Sequence, residues 1–306
     1  MKELVILSGK GGTGKTSITA SFARLALRPV MADCDVDAAD LHLVLAPTVR
    51  ERHEFMSGHQ AVIMEEVCCN CGVCLPECRF DAIQLPAPED GHDTYWIDPT
   101  ACEGCGVCLK TCPMDVIDFP ERRCGEWMIS ETACGPMVHA RLGVAAENSG
   151  KLVTTVRREA RRIAEEGHHP LIIVDGPPGI GCPVIASVTG ATHALLVTEP
   201  TLSGEHDLER VLALTRHFGI PTSVCVNKWD INPEMTERIE EKARQASARI
   251  VGRVRYDPSV TRAQIQERAV VDTDCPCAED IREVWKNLGL QRELLTTALP
   301  PSGDSK

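Results

Sequence analysis

Three things are scarce in this 306-residue chain: long apolar runs, an export signal, and basic residues in its cysteine-rich stretch. No run approaches the roughly 18 consecutive apolar residues of a membrane-spanning helix, so stable membrane insertion is not expected. The chain opens directly into a short apolar run at 4–7. No signal peptide is expected from that start, and the protein is placed in the cytoplasm. Between residues 61 and 120 only Arg79 and Lys110 are basic, against eleven acidic residues, so this stretch carries −9 of the total formal charge of −12. Such an acidic surface repels nucleic acid and favours a basic protein partner. What is abundant is cysteine. Sixteen cysteines without an export signal argue for reduced thiols and metal ligation, not disulfides.

The length suggests about two domains, and 43% hydrophobic residues are ample for a large core. Residues 4–7 read as a strand, followed by a glycine-rich loop, a helix over 15–27 and a second strand over 30–33. After residue 121 short apolar runs at 171–174, 194–197, 223–226 and 250–254 read as buried parallel strands. Helical stretches alternate with them. One covers 151–166 and puts Leu152, Val153, Val156, Ala160 and Ile163 on one face. This alternation predicts an α/β fold with a doubly wound, mostly parallel sheet. Its expected limits are 1–60 and 121–295, with a small α+β domain inserted at 61–120 and a flexible tail at 296–306.

Gly9-Lys10-Gly11-Gly12-Thr13-Gly14-Lys15-Thr16 fits the G-x4-G-K-[ST] pattern, after a strand and at the start of a helix. Backbone N–H groups from Gly11 to Lys15 would wrap phosphates, aided by the helix dipole. Lys15 would reach the β- and γ-phosphates, Thr16 would ligate Mg²⁺, and Ser17 follows in the same turn. ATP or ADP with Mg²⁺ is the expected cofactor.

With its extra Lys10, the loop resembles the deviant form of the MinD/ParA superfamily, which includes the nitrogenase iron protein. That resemblance implies ATP-dependent dimerisation, as a homodimer or with a related ATPase, with Lys10 crossing to the partner's phosphates. It places Asp33 and Asp35 in a first switch, Asp35 positioning the attacking water and Asp33 helping around Mg²⁺, with Asp37 and Asp40 as lesser candidates. Asp175, ending an apolar strand, would hold a Mg²⁺-bound water, and Gly179 would free a second switch. Asn227 would contact adenine, with Asp230 secondary, and Tyr256 would help close the base pocket. Asn148-Ser-Gly-Lys-Leu-Val and Val197-Thr-Glu199-Pro200 also match.

Two cysteine runs interrupt this pattern: Cys68-x2-Cys71-x2-Cys74-x3-Cys78 and Cys102-x2-Cys105-x2-Cys108-x3-Cys112-Pro113. Equivalent cysteines are 34 positions apart, and Asp81-Ala82-Ile83 recurs as Asp115-Val116-Ile117 at the same offset. Three thiols at successive intervals of three suit a cubane iron–sulfur cluster better than paired zinc hooks. The runs resemble those of two-cluster bacterial ferredoxins, in which the fourth cysteine crosses over. The resemblance implies one [4Fe-4S] cluster on Cys68, Cys71, Cys74 and Cys112, and another on Cys102, Cys105, Cys108 and Cys78. Arg79 stands where the motif usually has proline, and Cys69 is an extra thiol. With little apolar core, this domain is expected to unfold without iron.

Four further cysteines are candidates. Cys182 sits at the offset of the nitrogenase iron protein's cluster ligand, which implies an intersubunit cluster with Cys134 as a possible second ligand. Cys275-Pro-Cys277 is a candidate thiol or cluster site. Three functions follow. The leading expectation is an ATPase that gates electron transfer from two [4Fe-4S] clusters to a redox protein partner. The first alternative is an ATP-dependent cluster carrier, as Mrp-type relatives imply. The second is a positioning ATPase whose clusters are structural or redox-sensing.

Overall fold

A computed structural model describes residues 1–143 and 149–290. The expected tail at 296–306 and Asn148 of the matched stretch lie outside the described residues. The chain divides into two compact units, one comprising Met1–His53, Trp127–Arg141 and Ser149–Lys306, the other Glu54–Glu126 and Leu142–Asn148.

In chain order the first elements are β1 (Lys2–Ser8), α1 (Lys15–Leu25), β2 (Val30–Asp33), α2 (Leu41–Leu45) and β3 (Thr48–His59). Next come β4 (Val62–Ile63), β5 (Ile83–Gln84), β6 (Trp96–Ile97), α3 (Val107–Thr111) and β7 (Ile117–Asp118). Then follow β8 (Glu121–Thr132), β9 (Gly135–Leu142), α4 (Ser149–Glu166), β10 (Leu171–Pro178), α5 (Cys182–Val188) and β11 (His193–Thr198). The last are α6 (Leu202–His217), β12 (Thr222–Asn227), α7 (Pro233–Gln245), β13 (Arg249–Val254), α8 (Ser259–Ile265) and α9 (Pro276–Leu288).

Two boundaries between these units fall at 53/54 and 126/127, inside β3 and β8, and a third at 141/142, inside β9. Both β3 and β8 are long and largely charged, as Thr48-Val-Arg-Glu-Arg-His-Glu shows, so no apolar run marked them. Nine strands form one sheet in the order β13-β12-β11-β1-β10-β2-β9-β8-β3, and the pairings from β13 through β9 are parallel. The centre of β1, β10 and β11 is apolar on both faces and fully buried, as a sheet covered on both sides by helices requires. Because β1 lies between β10 and β11, the chain leaves its carboxyl end at a point where crossovers depart in opposite directions, which is where such sheets bind ligands.

α1 buries Ile18, Ala20, Phe22 and Ala23, and Phe22 meets Trp285 of α9 at a 4.8 Å ring separation. α4 buries Leu152, Val153, Val156, Ala160 and Ala164, while Ile163, expected on that face, is only half-buried. The same face carries a buried Arg157. Its guanidinium pairs with Glu3 of β1 at 2.6 Å and donates to the carbonyls of Ala186 (2.6 Å) and Thr189 (2.9 Å). Arg161 closes on the other Glu3 oxygen at 2.6 Å.

The second unit has its own core: Ala61, Ile63, Ala82, Ile83, Ile97 and Ile117, with Cys74 and Cys102 buried among them. β4 pairs antiparallel with β7, and β5 with β6. Adding 34 to Ile83 gives Ile117, and subtracting 34 from Ile97 gives Ile63, so the Ile83–Ile97 pair maps onto Ile117–Ile63. The backbone repeats likewise. Gly72 and Gly106 have φ of 70° and 71°, and Asp81 and Asp115 have φ of 50° and 52°. Asn70 (φ 54°) answers to Gly104 (φ 64°), where a Cβ would meet the His59 carbonyl at 2.2 Å. The halves differ where Pro76 ends helical hydrogen bonding early: Leu75–Glu77 is a single 3₁₀ turn, whereas α3 is a full α-turn.

Glu3→Ala would leave Arg157 buried without a counter-charge. It is expected to cost about 3–5 kcal/mol in denaturant unfolding, with Glu3→Gln losing less. A loss below about 1 kcal/mol would show that the pair contributes little.

Candidate functional site: a phosphate loop and two cysteine-lined cavities

The loop between β1 and α1 is shaped by its glycines. A Cβ on Gly9 would stand 2.2 Å from Asp207 Cβ, and Gly14, at φ +86°, has Asn227 Nδ2 against its open face. Gly11 and Gly12 face open space. Beneath the loop lies Asp175, 1% exposed within β10. It holds Lys15 Nζ at 2.9 Å and accepts from Thr16 Oγ1 and Thr19 Oγ1, both at 2.8 Å. Asp35 reaches Lys15 at 3.5 Å. Burial works against the Lys15 ammonium, but Asp175 and then Asp35 outweigh it, so its pKa stands above the ordinary lysine value. Burial, followed by the Asp175 charge, pushes the Asp33 carboxyl well above the usual range. Asp33 accepts from the backbone N–H groups of Asp35 (3.2 Å) and Leu41 (3.3 Å) and so ties down the turn after β2. Burial also raises Asp35, opposed by Lys15. Thr13 Oγ1 and Lys15 Nζ are buried donors without a well-aligned hydrogen-bond acceptor.

A cavity of about 740 Å³ opens over this loop, within the size range of ligand pockets. Gly11 to Ser17 form its floor, and Asp35, Asp40, Asn227 and Tyr256 stand on its walls. Asn227, expected on adenine, has its amide engaged elsewhere: Nδ2 donates to the Thr13 carbonyl at 2.7 Å, and Oδ1 accepts from Lys228 N–H at 3.0 Å. Asp230 does not line the cavity and accepts from Tyr256 N–H at 2.7 Å, setting the loop that carries the half-exposed tyrosine ring. Gly179, at φ +91°, donates to the Ser8 carbonyl at 3.0 Å.

Lys10 does not line the cavity. Its ammonium lies 2.6 Å from Glu199 and donates to Ser203 Oγ at 2.9 Å. Glu199 also holds Lys228 at 3.0 Å, which donates to the Gly12 carbonyl at 2.9 Å. Burial alone would raise the Glu199 carboxyl, but hydrogen bonds from Lys10 and Lys228 hold it below the usual value. Glu199 and Lys228 lay in stretches matched to the family, yet nothing in their local sequence assigned them these roles.

In the second unit one cavity is lined by Cys68, Cys71, Cys74 and Cys112, and another by Cys78, Cys102, Cys105 and Cys108. These are the two crossed sets that the ferredoxin resemblance implies. Cys69, exposed, edges the first cavity. Peptide N–H groups reach the sulfurs: Val73 N–H, then the Cys69 thiol, lower the Cys71 pKa. Burial pushes Cys108 up to about 11 against the pull of Leu109 N–H. Burial raises Cys74, with Cys68, Cys112 and Cys71 adding to it as like-charged neighbours. Among the described residues only Asp257, Cys275 and Cys277 bring three metal-capable atoms within 4.8 Å of one another, so both sets of four are more widely spread.

The remaining cysteines separate. Cys182 is exposed at the start of α5 beside Gly150, and Cys134 lies by Arg24, so different surroundings hold the two. Cys34, Cys124 and Cys225 are core residues, Cys124 donating to the Ser57 carbonyl at 3.0 Å. Among the described residues no helix is long and apolar enough to cross a membrane.

Comparison with known proteins places the chain. Residues 4–270 match the model of the CobQ/CobB/MinD/ParA nucleotide binding domain. An uncharacterised protein of Methanocaldococcus jannaschii is 32% identical over 290 residues, covering 94% of this chain and 96% of that protein. A putative septum site-determining protein MinD of Mesostigma viride is 24% identical over 242 residues, covering 78% of this chain and 63% of that protein. Among solved structures, the cell division ATPase MinD of Pyrococcus furiosus shares the fold, with a TM-score of 0.56, 17% identity and coverage of 94% of this chain and 98% of that one. MinD of Pyrococcus horikoshii, complexed with Mg-ADP, has the same TM-score at 15% identity, with coverage of 94% and 95%. With the loop, the buried aspartate and the parallel sheet in the order described, this chain belongs to the CobQ/CobB/MinD/ParA family of nucleotide-binding proteins.

Proposed function

We propose that this chain is an ATP-hydrolysing switch of the MinD/ParA class whose second unit holds two [4Fe-4S] clusters. The observation that carries the first half is the set of three donors, Lys15, Thr16 and Thr19, converging on the buried Asp175 beneath an open phosphate loop. In this reading the loop N–H groups, Lys15 and Thr13 bind the phosphates. Thr16 and Asp175 with Asp35 offer the hard oxygen donors that Mg²⁺ prefers, and the ion when bound neutralises phosphate charge. Asp35, beside Lys15 at the cavity wall, orients the attacking water. Lys10 leaves Glu199 to reach a second copy or a related ATPase, the role the family resemblance gives it. Asn227 supports the loop, and Tyr256 provides the surface for adenine.

Two features support the clusters. Each cavity gathers four thiols, one of them from the opposite half of the duplicated unit. The sulfurs are also more dispersed than a single zinc would want, since Zn–S bonds of about 2.3 Å put tetrahedral sulfurs roughly 3.8 Å apart. A [4Fe-4S] cluster supplies one-electron chemistry when bound.

For the purpose of the switch, the likeness to MinD proteins fits the positioning-ATPase alternative better than ATP-gated electron transfer, the leading expectation from sequence. The clusters then serve as core and redox sensor. Electron transfer stays as the second reading on one observation: Cys71 and Cys105, one per cavity, are exposed, which would give each cluster a short path to a partner.

Anaerobic preparation is expected to give roughly eight iron atoms per chain. Cys74→Ser should unfold the second unit and release the iron of both clusters, while nucleotide binding survives; iron-free protein with an intact second unit would defeat the cluster reading. To separate the two purposes, cluster potentials are compared with ADP and with a non-hydrolysable ATP analogue. Equal potentials leave the positioning reading, and a shift favours electron gating.

Lys15→Ala should lower ATP affinity at least about 100-fold by calorimetry. Lys10→Ala should retain binding and lose at least about tenfold in turnover, and retained turnover would remove its assigned role. Asp33 titrates above its unfolded value. Its contribution to the stability of the nucleotide-free protein is therefore complete below the ordinary aspartate range and falls as pH rises through the raised value. Asp33→Asn should melt higher than the parent at neutral pH, and the difference should close in acid. A neutral-pH melting temperature below that of the parent would contradict this.

A further inference from the structure

We infer that Asp257, Cys275 and Cys277 form a binding site for a thiophilic divalent cation of the zinc class, at the edge of the nucleotide cavity and separate from the eight cysteines of the second unit. Two segments build it. Asp257 lies in the loop between β13 and α8, and it lines the nucleotide cavity. Cys275 caps α9, and Cys277 is in that helix's first turn. The break from extended backbone at Cys275 (φ −141°, ψ 152°) into the helix at Pro276 brings the two sulfurs to 3.1 Å, with the Asp257 carboxylate inside the same 4.8 Å grouping. No other group of three such donors among the described residues is this tight.

The surroundings suit a cation. Cys275 and Cys277 are 8% and 0% exposed, packed with Ala278 and Val271 in the core. Two buried thiols and a half-buried carboxylate this close would repel one another if all were ionised. A divalent cation would turn the same repulsion into attraction. Ser259 N–H donates to Asp257 Oδ1 at 2.8 Å, the kind of outer hydrogen bond that orients a ligating carboxylate.

The donor set selects the ion. Two thiolates and one carboxylate favour zinc-class metals over Mg²⁺ or Ca²⁺, which take oxygen donors. Three protein ligands leave one tetrahedral position for water or an added donor. A disulfide is the competing fate of two thiols this close. It would leave Asp257 without a part, and a neighbouring carboxylate opposes the thiolate that exchange requires. The inference does not rest on the cluster reading, because none of its ligands belongs to the second unit.

The test uses the full chain, prepared anaerobically, with zinc measured by elemental analysis after dialysis and Co²⁺ as a spectroscopic probe of thiolate ligation. The parent should hold one more zinc than the Cys275→Ser/Cys277→Ser variant, which should also lose the matching thiolate-to-cobalt absorption while binding ATP normally. Asp257→Asn should keep thiolate absorption and weaken zinc at least about tenfold, the loss seen even for outer-shell partners. If the double variant does not fold, the zinc-dependent rise in the parent's melting temperature, lost in Asp257→Asn, carries the test. Equal zinc and cobalt signals in parent and double variant would overturn the proposal. So would zinc affinity unchanged in Asp257→Asn, or a parent peptide two mass units light with neither thiol open to alkylation.

Discussion

The ion pair between Lys15 and the buried Asp175 is the constraint on which the rest of the nucleotide unit depends. Asp175 lies within β10, a strand locked between β1 and β2, with Ile6 and Asp33 opposite it in register. A carboxylate in that position must be compensated, since burying one uncompensated costs several kcal/mol. Lys15, Thr16 and Thr19 all come from the first turns of α1, so satisfying Asp175 also fixes where that helix begins. The glycines before that helix start line the cavity over its N-terminus, Gly11 and Gly12 facing open space. The phosphate cradle is therefore a consequence of a polar need in the sheet. Asp33 is left as the surplus acid in this cluster, which is why burial and Asp175 together push its carboxyl up.

The second unit solves the opposite problem. It has few apolar side chains, and cysteines occupy places where a larger domain would put leucine or valine. The duplicated backbone keeps those cysteines in place through left-handed residues at matching positions, of which Gly104 admits no side chain because of the His59 carbonyl. Exchange of strand pairs between the halves has a chemical counterpart: each cavity borrows its fourth thiol from the other half. Neither half could complete a four-thiol cavity alone.

Legibility in the sequence followed the range over which each feature is encoded. The phosphate loop and the thiol runs are local patterns whose spacing nearly determines their geometry, and the central strands announce themselves as apolar runs. What was not legible depends on distant partners. Asn227 sits after a strand where a base-recognising residue would stand, but sequence does not reveal that Thr13, 214 positions earlier, takes its amide. Asp230 likewise accepts from Tyr256 N–H, 26 positions later, a contact that sequence does not reveal. On α4 the buried face includes Arg157, drawn inward by Glu3, a partner 154 positions earlier that sequence does not reveal. The compact units divide within β3 and β8, strands whose charged stretches carry no apolar signature.

The position of Lys10 gains meaning from its partner. Glu199 binds both Lys10 and Lys228, and Lys228 is also anchored to the Gly12 carbonyl. A carboxylate held by one lysine alone would be stranded, half-buried, whenever that lysine moved. Held by two, it would keep a counter-charge if Lys10 departed as proposed, so the move would cost one partly exposed ion pair, on the order of 1 kcal/mol. Lys228 meanwhile keeps Glu199 tied to the loop itself. On the proposed reading the loop's extra lysine changes partners while the loop stays in place, the separation between the part that binds and the part that moves that a nucleotide-dependent switch needs.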